Sequence, residues 1–68
     1  MTQLAPHQQR VVTERDELAE RLEKLLSFLQ TPTFMGLDQS ERIRLRLQAH
    51  HMQAYLSVLG ERVEAFSA

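Results

Sequence analysis

Apolar residues in this chain recur at intervals of three and four through two long segments, and the pattern breaks only once. That period is the mark of a helix with one face turned to a core. In the first segment Val11, Leu18 and Leu25 repeat every seven residues, with Leu22 and Leu29 between them, and Val12, Ala19 and Leu26 widen the stripe. In the second, Leu45, Ala49, Met52, Leu56, Leu59, Val63 and Phe66 alternate spacings of four and three, as in the seam of a coiled coil. Two such faces cover each other most simply as an antiparallel helical hairpin.

The punctuation sets the boundaries. Pro6 suits a first helical turn, where a missing N–H costs nothing. The first helix is expected over about 6–30, because the residue before Pro32 avoids the helical region. Thr31 to Gly36 predicts one short turn of helix, with Thr31 as its cap, Pro32 at its first position and Gly36 in the left-handed conformation at its end. Phe34, Met35 and Leu37 are expected to plug that end of the hairpin. Asp38 then caps a second helix over about 38–66, and Glu41 completes a capping-box pattern. Gly60 is that helix's one weak point. The expectation is a single all-α domain over 1–68, about 36–42 Å long at 1.5 Å per residue.

The second segment carries a further apolar set, Ile43, Leu47, Ala54, Val58 and Ala65, on the side opposite its main seam. One partner helix cannot cover both faces. A chain of 68 residues is also marginal as a lone core, and with no cysteine it has neither disulfides nor thiolate metal sites to stiffen it. A homodimeric helical bundle is therefore expected, with Ile43, Leu47, Ala54 and Val58 at the interface.

Residues with chemical potential are few. His50 and His51 are adjacent, so they point about 100° apart and cannot chelate one ion together; His7 lies far along the sequence, and no metal site or cofactor is expected. No nucleophile system is readable, and a hairpin offers little cleft, so no catalytic residue is assigned and the chain is not expected to be an enzyme. Two glycines cannot build a phosphate-cradling loop, and a net charge of −1 argues against direct nucleic-acid binding. No apolar run approaches the roughly 20 residues needed to span a bilayer, and Met1 to Arg10 has no secretory apolar region, which points to an intracellular, membrane-free protein.

Two exposed clusters remain as binding candidates. Phe28 projects about 80° from the centre of the first helix's seam, on the side of Arg21 and Lys24, and an aromatic beside basic residues has the composition of a protein-binding hot spot. Packing of Phe28 into the dimer core is the competing expectation. Arg42, Arg44 and Arg46 cluster near the start of the second helix, where anions are favoured. Either they hold a phosphate-bearing ligand, or they pair in solvent with carboxylates of the first helix. Arg15 falls inside the apolar sector of the first helix, so it must snorkel or pair, with Glu64 as the candidate partner.

Taken in order, Arg10-Val11-Val12-Thr13-Glu14-Arg15-Asp16-Glu17-Leu18, Leu22-Glu23-Lys24-Leu25-Leu26-Ser27-Phe28-Leu29, Phe34 and Leu37, Met52-Gln53-Ala54-Tyr55 and Val58-Leu59-Gly60-Glu61-Arg62-Val63 form a pattern over nearly the whole chain. It resembles a family of very short bacteriophage and prophage hairpin proteins. That resemblance implies one of two functions. One is the dimeric anti-quorum-sensing activity of Pseudomonas phages, directed at a LuxR-type transcriptional regulator and the type IV pilus assembly ATPase. The other is that of anti-CBASS and anti-Thoeris sponges, whose hairpin domains sequester cyclic nucleotide signals in oligomers. The leading expectation is the first: a phage-encoded protein in the host bacterial cytoplasm that inhibits a host regulatory protein by surface contact through Arg21, Lys24 and Phe28. The alternative is the cyclic nucleotide sponge, with Arg42, Arg44 and Arg46 on the phosphates; a plain oligomerisation module is the third.

Overall fold

The computed structural model describes residues 3–67 and is all-helical over that range. Helix α1 runs Pro6–Phe28, a short α2 runs Pro32–Met35, and α3 runs Gln39–Ala65. At 1.5 Å per residue the long helices account for about 35 and 40 Å, and they pair lengthwise into a rod of 50 × 15 × 15 Å.

The two seams meet along their length. Val11, Leu18 and Leu59 are buried together, and Met52, Leu56, Val63 and Phe66 pack against them. Leu22 and Ala49 are buried as well. Every member of the alternating α3 seam is buried or half-buried, whereas Val12 and Ala19 are half-buried and Leu26 is exposed. Gly60 is helical, and a Cβ added there would touch nothing within 4 Å.

Local chemistry explains the ends. Pro6 opens α1, and the Ala5 N–H donates to the Gln8 side-chain oxygen at 2.9 Å, satisfying one of the amide groups that a helix start leaves free. At α2 the Thr31 hydroxyl accepts from the Phe34 N–H at 3.2 Å and donates to the Phe28 carbonyl at 2.7 Å. One side chain thus caps the start of α2 and ties off the end of α1.

Four local expectations are corrected. Gly36 is right-handed, at φ −82° and ψ −6°, because its N–H is already held by the Pro32 and Thr33 carbonyls in a tightened last turn. Met35 is 60% exposed, so Phe34, which is fully buried, forms the plug together with half-buried Leu37. Asp38 makes no side-chain cap to α3; its carboxylate accepts from the Ser40 hydroxyl instead, and Glu41 pairs with Arg44 at 2.8 Å. Arg15 pairs with adjacent Asp16 at 3.0 Å and not with Glu64, since a neighbour on the same turn is reached without crossing the seam.

Candidate functional site

The sequence placed its arginines on alternate positions of one helix; the fold sorts them into different surroundings. Arg42 and Arg46 are four residues apart and so share a face of α3. The Arg46 guanidinium lies over the ring of Phe34, 5.1 Å from its centroid. Phe34 in turn meets Phe28 edge-to-face, with centroids 6.1 Å apart and planes at 80°. Nε of Arg42 is shut off from solvent and has no hydrogen-bond partner among the described residues. Arg44 points elsewhere and is engaged by Glu41. None of the three pairs with a carboxylate of α1 among the described residues.

This end of the hairpin therefore combines two guanidiniums with an aromatic pair. α2 makes the combination possible: the Thr31 cap turns the chain so that Phe34 drops onto the end of the α1–α3 seam. Guanidinium groups stack on aromatic faces and present forked donors that match phosphate oxygens. With Phe34 buried beneath Arg46, what this end presents outward is guanidinium, which suits an anion.

The first candidate cluster is less open than its sequence suggested. Phe28 is half-buried, because Phe34 takes one side of its ring. Arg21 and Lys24 are exposed but lie against Glu17 at 3.3 Å and Glu20 at 3.4 Å on the same helix. Ile43, Leu47 and Val58 are 49%, 52% and 49% exposed, and Ala54 is exposed beside them, so the second stripe of α3 has no cover among the described residues.

Sequence reasoning missed one cross-helix contact. The Tyr55 hydroxyl donates to the Glu14 carboxylate, joining the middle of α3 to the first half of α1. That hydrogen bond, with a smaller contribution from desolvation, raises the Tyr55 pKa above its usual 10.0. The signal for it is weak in a single sequence, because neither residue lies on a seam. His50 and His51 meet edge-to-face at 5.6 Å, and no group of three or more His, Cys, Asp or Glu side chains able to hold a metal forms among the described residues. Among the described residues, no helix is long and apolar enough to cross a membrane.

Comparison with curated proteins and with solved structures finds no match. A family model does match, over residues 5–65, a span that takes in both long helices and the arginine end. On that match the chain belongs to the Sequestin family.

Proposed function

We propose that this protein is a sequestering protein, an oligomeric sponge for a small anionic signal of the cyclic nucleotide class, acting in the cytoplasm of a phage-infected bacterium. The family's name supports sequestration. The observation that carries the ligand class is the arginine pair on one face of α3: exposed Arg46 braced on Phe34, and half-buried Arg42, neither of them paired with a carboxylate among the described residues. A phosphodiester would accept from the guanidinium donors on this face, and a base would stack on the outer side of the Arg46 guanidinium, since Phe34 beneath it is fully buried. Sequestration removes a signal by mass action, so the protein acts stoichiometrically and without a catalytic step. Its oligomeric part is a homodimer through Ile43, Leu47, Ala54 and Val58. Inhibition of a LuxR-type regulator or a pilus ATPase gains no comparable support, since Phe28, its central contact, is half taken up by Phe34.

Calorimetry against a panel of cyclic di- and trinucleotides tests the proposal. Tight binding of at least one is expected. Arg42→Ala and Arg46→Ala should each weaken it about tenfold or more, consistent with about 1.5–3 kcal/mol for hydrogen bonds to charged groups, and Arg44→Ala should weaken it less. Absence of binding across the panel, with a host protein recovered on tagged chain and lost on Phe28→Ala, would overturn it in favour of protein inhibition.

A further inference from the structure

The uncovered stripe of α3 has an internal symmetry. Ile43, Leu47, Ala54 and Val58, four of the stripe's five residues, are separated by four, seven and four, so this set reads the same in both directions about a point between His50 and His51, with Ala65 lying beyond it. We infer that a second copy of this chain docks on this face with its α3 antiparallel and the two-fold axis passing between residues 50 and 51. The inference rests on the oligomeric part of the function proposed above and not on what is bound.

Packing and charge favour this arrangement. Across such an axis Ile43 opposes Val58 and Leu47 opposes Ala54, so each larger side chain meets a smaller one and the helices keep an even separation. A parallel pair would set each residue against its own copy, wide at Ile43 and Leu47 and narrow at Ala54. It would also bring the arginine-bearing starts of both α3 helices side by side. The antiparallel pair places that end, where Arg42, Arg44 and Arg46 outnumber Glu41, against the half of α3 where Glu61 and Glu64 outnumber Arg62. An antiparallel axis at Ala54 would instead set Leu47 against Glu61. His50 and His51 flank the preferred axis, each approaching its own copy, and supply polar groups at the centre of an otherwise apolar seam.

Spin labels decide the register, because the chain has no cysteine and single-cysteine variants label at one place. Gln48→Cys and Ser57→Cys change exposed residues outside the stripe. In ligand-free protein at about 100 µM, with the axis between 50 and 51, the paired positions lie about 8 Å apart along the rod for residue 48 and about 20 Å for residue 57. The shorter distance must therefore belong to residue 48. An axis at Ala54 reverses the order, to about 18 and 9 Å, and a parallel pair makes the two alike. Either pattern, or no dipolar coupling in either variant, overturns the inference. Leu47→Asp should abolish the coupling in the Gln48→Cys background. If it also loses helicity, the two distances in the parent protein still decide the matter. Loss of nucleotide binding would leave these distances unchanged, so the two proposals fail separately.

Discussion

Tyr55 and Glu14 join the two long helices through one exposed hydrogen bond, and their behaviour with pH follows from which partner holds the proton. The folded state raises the tyrosine pKa above the value of about 10 that it has in an unfolded chain. The folded protein therefore binds the proton more tightly, and the contribution to stability is fully present below pH 10. It is lost as pH rises through the folded pKa. Thermal melts between pH 8 and 11 should show stability falling across the upper part of that range, and Tyr55→Phe should remove much of the slope while leaving helicity at pH 8 unchanged. An equal slope in the variant would mean that other groups carry the alkaline transition. Arg42 and Arg46 show the same dependence on surroundings. Their sequence spacing places them on one face, but a desolvated Nε and an aromatic ring under the guanidinium are properties of the folded end of the hairpin.

Among the elements, the shortest has the largest local effect. α2 has four residues, yet it carries Phe34, one of two large side chains with no exposure, the other being Leu59. Phe34 closes the seam, takes one side of Phe28 and supports Arg46. Phe34→Ala should cost about 3–5 kcal/mol, the usual range for a buried phenylalanine, and in a chain this small that is enough to unfold much of the population at 25 °C. Chemical denaturation followed by circular dichroism measures it. Phe34→Leu should retain the helices and lose most of the support for Arg46. The long helices were legible because their three-and-four spacing is a property of the backbone period. The capping details at Asp38 and Gly36 were not, because several hydrogen-bonding solutions of similar energy compete there. Ser40 and Arg44 won the two carboxylates that the capping box would have used.

The whole molecule is a rod, with a radius of gyration of 15.5 Å against about 11 Å for a compact domain of this length. Such a shape gives each residue little core, and the second stripe of α3 remains open to solvent. If a second copy covers it, folding and association are coupled, and the melting temperature must rise with protein concentration. Melts over a hundredfold range of concentration should show that rise. Leu47→Asp should flatten it, and a concentration-independent melt of the parent chain would show that the rod is stable alone.

The periodicity of apolar residues was sufficient to determine two helices, the seam between them and the place where the chain turns, because a helix repeats its faces at fixed intervals whatever surrounds it. The spare stripe, Ile43, Leu47, Ala54 and Val58, was legible for the same reason. Only the tertiary structure decided which side chains share surroundings across the turn and across the seam: Phe28 against Phe34, Arg46 over that ring, Arg42 Nε closed off from solvent, Tyr55 on Glu14. Those pairings depend on how α2 seats and how α1 and α3 are offset along the rod. A period of 3.6 residues specifies the face of a helix but leaves that offset to the packing of the seam.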